Sequence, residues 1–169
     1  VARATLRVTL ESPCFPFAGW AELGVPAQQN WPAPCDAFDR TLSVTLDEAE
    51  AAEDGTSSAP PGLELLRAIT PFGGPLQVDE DMTDVVNGLP GAHRLVLRID
   101  TFSDADGIVS GSDGEWLASA EVRLWRGPAP RRVLAVVPLT LGNQTSVDAE
   151  PLTFEVPDGV GSARIDYRV

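Results

Sequence analysis

Apolar and polar residues alternate with a period of two over several short runs of this chain, and that period narrows the folds open to it. Successive side chains of a strand point to opposite faces, so such alternation marks a ribbon with one buried face. The run Ala4 to Glu11 sets Leu6, Val8 and Leu10 on one side and Arg7, Thr9 and Glu11 on the other. Thr41 to Asp47 does the same with Leu42, Val44 and Leu46. Leu63 to Thr70 reads as a third strand, stopped by Pro71 and Gly73-Gly74-Pro75. His93 to Asp100, Trp116 to Trp125 and Arg132 to Leu141 follow. A short run from Leu152 to Val156 and a last one from Ala163 to Val169 complete the series. Asp81 to Val86 predicts one helical turn with a carboxylate cap, and Asn87-Gly88 a turn after it. About eight strands without a convincing amphipathic helix predict an all-β chain. The expected architecture is an antiparallel β-sandwich of jelly-roll type, a single domain over residues 1–169.

Charge excludes several classes of partner. The formal net charge is -13, and all twelve basic residues are arginine. A nucleic-acid site needs clustered cations against phosphates, and an anionic membrane surface needs them too. No run of about eighteen apolar residues is present, so nothing spans a bilayer as a helix. The chain begins at Val1 almost at once in a strand and closes in another, which reads as a processed chain or an excised domain. Glu48 to Pro61, acidic and rich in small residues, reads as a mobile loop.

Chemistry is densest at Cys35-Asp36-Ala37-Phe38-Asp39-Arg40, directly before the second strand. The other cysteine, Cys14, follows the first strand. Cys14 and Cys35 form either one disulfide in an exported protein or two buried free thiols. A bridge closing a loop of about twenty residues would stabilise by roughly 3 kcal/mol. On spacing alone Asp39 and Arg40 read as a surface ion pair. Between the cysteines, Phe15, Phe17, Trp20 and Trp31 either stack on a sugar ring or pack the loop onto the sheet, and packing is favoured.

Other constellations fail. Ser103 to Gly107 with Glu115 suggests a calcium loop, but Ile108 stands at a ligand position and Val109 where glycine is needed. His93 is the sole histidine, on the apolar parity of its strand, and reads as a hydrogen-bonded packing residue. One histidine and one methionine build no zinc or copper set and no serine–histidine triad. No cofactor or metal is expected. Asn143-Gln144-Thr145 matches a glycosylation acceptor, a tripeptide that also arises by chance. Asp39 and Asp100, each at a strand end, remain as candidates for paired acid–base work.

The order Cys, Cys-Asp-x-x-Asp-Arg and then a strand resembles the amino-terminal domain of the bacterial peptide-N-glycosidase F family. Leu66-Arg67-Ala68-Ile69-Thr70-Pro71-Phe72-Gly73 looks like that family's Ile-Thr-Pro-Tyr segment. Asp81-Met82-Thr83-Asp84 is similar to its Asp-Val-Thr-Asp turn, and Val136-Val137-Pro138-Leu139 to its Val-Val-Pro strand. The resemblance implies an amidase that hydrolyses the bond between an asparagine side chain and the first N-acetylglucosamine of an N-glycan. It implies a secreted or periplasmic protein and two jelly-roll domains with the site between them. Asp39 matches the principal catalytic aspartate, and Asp100 lines up with a family glutamate. Arg40 would bind substrate, with Trp20, Trp31 and Phe102 beside it, and Cys14 and Cys35 match the family's cysteine pair. The expected partners are the N-glycan of a glycoprotein or glycopeptide and a second jelly-roll domain, from the same precursor or a separate chain. The loop between the cysteines is longer than the family's, and the second domain is not in this sequence, so the chain alone is expected to be inactive or nearly so. A glycan- or protein-binding sandwich without turnover is the alternative.

Overall fold

The computed structural model describes residues 1–12, 14, 17–36, 38–47, 62–71, 74–99, 108–110, 114–139 and 153–166. Six strands lie among them: β1 (Arg3–Glu11), β2 (Thr41–Leu46), β3 (Leu63–Ile69), β4 (Leu76–Asp81), β5 (Leu95–Ile99) and β6 (Leu117–Trp125). A 3-10 turn at Phe17–Gly19 leads into α1 (Trp20–Leu23), and α2 (Thr83–Gly88) follows β4. The strands form two antiparallel three-stranded sheets, ordered β4-β1-β6 and β3-β2-β5. No helix among the described residues is long and apolar enough to cross a membrane.

The two centre strands are those whose alternation is cleanest. Ala4, Leu6 and Val8 of β1 meet Leu42, Val44 and Leu46 of β2 in one apolar core, with Leu65, Leu66 and Met82. Each large side chain sealed there stabilises by about 1.5–3 kcal/mol over its exposed state. Opposite Val44 and Thr45 the ladder skips a residue of β3, pairing Leu66 and then Glu64. That bulge lets the neighbours Leu65 and Leu66 both turn inward. On the outer face of β1, Arg7 donates to both carboxylate oxygens of Asp79 on β4, at 2.7 and 3.0 Å.

Several expectations need correction. β4 lies where the alternation suggested no strand; Leu76 and Val78 supply its inner face and pair with Leu10 and Val8. β5 starts at Leu95, so His93 is outside the strand and exposed. The described parts of the runs expected as strands at 132–141, 152–156 and 163–169 form no ladder. Alternation supplies a face but no partner, and here other contacts hold the chain. Arg131 pairs with Asp84 of α2, and Arg164 lies 3.7 Å from the same carboxylate. A Cβ at Gly88 would sit 2.7 Å from Val133 and 2.8 Å from Val136, so only glycine lets this segment lie against α2. The expected helical turn does form, and Asp81 accepts from the backbone N–H of Thr83 at 2.9 Å and from its hydroxyl at 2.5 Å. The acidic loop 48–61, Asn143 to Thr145 and the turn from Ser103 to Gly107 lie outside the described residues.

The antiparallel registers give the molecule two distinct ends. One gathers the end of β1, the start of β2, the end of β3 and the start of β6, together with both cysteines. The other carries α2, the end of β2 and the start of β5.

Candidate functional site

Cys14 and Cys35 are bridged, with Cα atoms 5.4 Å apart, and both are buried. The bond ties the end of the centre strand of one sheet to the approach of the centre strand of the other. Beyond it, Asp36 is sealed at 1% exposure, a costly place for a carboxylate unless donors surround it. Three donors do. The Phe38 backbone N–H reaches Oδ1 at 3.1 Å. Arg40 Nε and Trp116 Nε1 reach Oδ2 at 2.8 and 3.3 Å. The arginine side chain is itself only 12% exposed, so this is a largely buried, hydrogen-bonded ion pair.

The surface-pair reading therefore needs revision: Arg40 is held by Asp36, four residues back. Asp39, the neighbour of Arg40 in sequence, is exposed on the rim. The backbone beneath is fixed on two sides. Arg40 N–H donates to Thr70 Oγ1 at 2.9 Å, and Thr70 N–H donates to the Arg40 carbonyl at 2.8 Å, joining β2 to the end of β3. Glu115 N–H donates to the Pro34 carbonyl at 3.0 Å, joining the cysteine loop to the approach of β6.

Of the loop aromatics, Trp20 and Trp31 pack, Phe15 lies outside the described residues, and Phe17 opens the 3-10 turn. Trp20 is half-buried and donates its indole N–H to the Cys14 carbonyl. Trp31 is half-buried and meets Phe38 edge-on, ring centres 5.4 Å apart and planes at 66°. The Arg40 guanidinium lies 5.0 Å over the other part of that stack, the Phe38 ring. Phe38 remains 37% exposed, so the stack presents an aromatic surface beside Asp39. Asp100 and Phe102 lie outside the described residues. Trp116, Thr70 and Phe38 belong to this cluster without having been singled out in the sequence. A polar Thr70 directly before a proline at a strand end was the one signal available for them.

Shifted ionisations fall elsewhere. The Arg7 guanidinium holds the Asp79 carboxyl low, and the Thr83 and Arg131 donors hold Asp81 and Asp84 low. Among the described residues no three histidine, cysteine, aspartate or glutamate side chains converge in a set fit for a metal ion. No protein-family model, curated protein or solved structure matches the chain.

Proposed function

We propose that the rim from Cys35 to Arg40 is the glycan-contacting surface of a peptide-N-glycosidase F-like amidase domain, with Asp39 as its reacting carboxylate. The observation that carries this reading is the different fate of the two carboxylates of one motif. Asp36 is buried and shared by three donors, whereas Asp39 is exposed on a backbone that the disulfide and Thr70 hold in place. A carboxylate accessible to water on a backbone held in place is suited to polarising a nucleophilic water. Arg40 then serves as a positioning residue through Asp36, and Phe38 offers a face on which a sugar ring can stack.

The jelly-roll reading draws support from the nested pairing of β1 with β6 and β2 with β5 in alternate sheets. The disulfide supports an exported protein, because such bonds persist in oxidising compartments. In this reading a second domain supplies the facing wall of the groove, and Asp100 the second acid of this one. A binding module without turnover is the second reading, because the sharing of Asp36 by its donors leaves the motif one exposed carboxylate, Asp39, where an acid–base pair needs two.

The test incubates an N-glycopeptide with the 169-residue chain, alone and together with a second jelly-roll domain. Mass spectrometry reports conversion of the glycan-bearing asparagine to aspartate. The amidase reading expects conversion only with both domains, abolished by Asp39→Asn. Conversion that survives Asp39→Asn removes Asp39 from the chemistry. Glycan binding without conversion in either arrangement supports the binding module.

A further inference from the structure

The end of the molecule opposite the disulfide holds a feature independent of the rim. A cavity of about 320 Å3 opens there, bounded by Leu46, Leu95, Val122 and Leu124 of the two sheets and by Val85 and Leu89 beside them. His93 stands among its lining residues. Its Nδ1 lies 2.6 Å from Asp47 Oδ2, and its Nε2 lies 2.9 Å from the Leu89 carbonyl oxygen. Both partners accept and neither donates. A neutral imidazole carries one N–H and one bare nitrogen, so both contacts are satisfied together only when both nitrogens are protonated.

We propose that His93 is a proton-operated latch across the mouth of this cavity, tying the turn after β2 to the end of α2 when doubly protonated and releasing one of them when neutral. Two of the surrounding groups favour the charged form, the Asp47 carboxylate and the Leu89 carbonyl. From the end of β2 comes Asp47, whose other oxygen accepts the Arg94 backbone N–H at 2.9 Å. From β5, Arg94 and Asp47 also exchange the backbone bond Asp47 N–H to Arg94 carbonyl at 2.8 Å, which fixes the carboxylate's position. From α2 the latch meets the Leu89 carbonyl; the acid of that helix, Asp84, lies in its first turn with Arg131. From β6, Val122 and Leu124 face the cavity, and Arg123 pairs with Glu121. Asp47 takes up a positive φ of 59°, a conformation uncommon for non-glycine residues that aspartate adopts more readily than most.

The hydrogen bonds to Asp47 and then to Leu89 raise the imidazole above its ordinary pKa, and the Arg94 N–H and then His93 lower that of Asp47. The latch is therefore complete between the depressed Asp47 pKa and the raised His93 pKa. It loses a bond as pH rises through the latter.

Because His93 is the sole histidine of the chain, its ring proton signals can be followed by NMR without ambiguity. In the unmodified protein the His93 midpoint is expected above the ordinary histidine value. The methyl signals of Val85 and Leu95 are expected to move with the same midpoint. Asp47→Asn should bring that midpoint down, and His93→Gln should leave the methyls insensitive to pH. A His93 midpoint at or below the ordinary value overturns the latch. So do methyls that stay still through the midpoint, or a midpoint unmoved by Asp47→Asn. The wild-type titration decides the matter even where a variant fails to fold.

Discussion

Replacing Asp36 by alanine separates the structural carboxylate of the motif from the exposed one. The change leaves the Arg40 guanidinium, 12% exposed, without its buried counterion, and also strips the Phe38 N–H and Trp116 indole of their acceptor. Breaking one side of a buried pair costs about 3–5 kcal/mol. The residual exposure of Arg40 argues for the lower figure, about 3 kcal/mol, a large part of the 5–15 kcal/mol that holds a typical domain. With a urea slope of about 2 kcal/mol per molar, the unfolding midpoint should fall by roughly 1.5 M. Asp39→Ala, at an exposed position, should cost within about 0.5 kcal/mol and shift the midpoint by roughly 0.25 M. Urea titrations followed by tryptophan fluorescence measure both. Equal shifts for the two variants, or a shift below roughly 0.5 M for Asp36→Ala, would refute the assignment of buried and exposed roles.

The Cys14–Cys35 bond spans 21 residues, so replacing both cysteines by serine should cost about 3 kcal/mol, read as a lower thermal midpoint. Reductant should lower the wild-type midpoint and leave the double variant unchanged. Thr83→Val should cost about 1–3 kcal/mol, since the buried Ala4 N–H loses the hydroxyl it reaches at 3.0 Å. Asp81 and Asp84 are held ionised in the fold, by Thr83 and by Arg131 respectively. Their depressed pKa values mean that this stability is present above the ordinary carboxylate range and lost as pH falls through the folded values. A series of thermal midpoints from neutral to acid pH should show that decline, and in Thr83→Val the part due to Asp81 should be smaller.

Strands β1 and β2 were legible because three apolar side chains at a period of two are driven into one core whichever partner arrives. β4 was hard to read: Leu76-Gln77-Val78-Asp79-Glu80-Asp81 carries three acids, and its inner face rests on Leu76 and Val78 alone, while Arg7 meets Asp79 on the outer face. The run beginning at Arg132 shows the opposite failure. Its alternation is clean, but a strand needs a ladder partner, and Gly88 offers Val133 and Val136 a helix surface instead. His93 followed the parity of its neighbours in sequence, whereas the Asp47 carboxylate holds it outside the strand. At the rim, the spacing of the cysteines allowed the bridge that forms, with free thiols as the alternative. The pairing of Arg40 with Asp36 was not legible, because the burial of that carboxylate rests on donors from distant parts of the chain, Trp116 before β6 among them.

Whether the rim beside the disulfide is the proposed surface for an asparagine-linked sugar is decided by amide and indole NMR shifts on adding chitobiosyl-asparagine. Phe38, Asp39, Arg40 and the Trp31 indole should shift together and saturate, with Asp39→Asn altering those shifts and leaving the fold intact. Shifts confined to the α2 end, or none at the rim under saturating ligand, would contradict it.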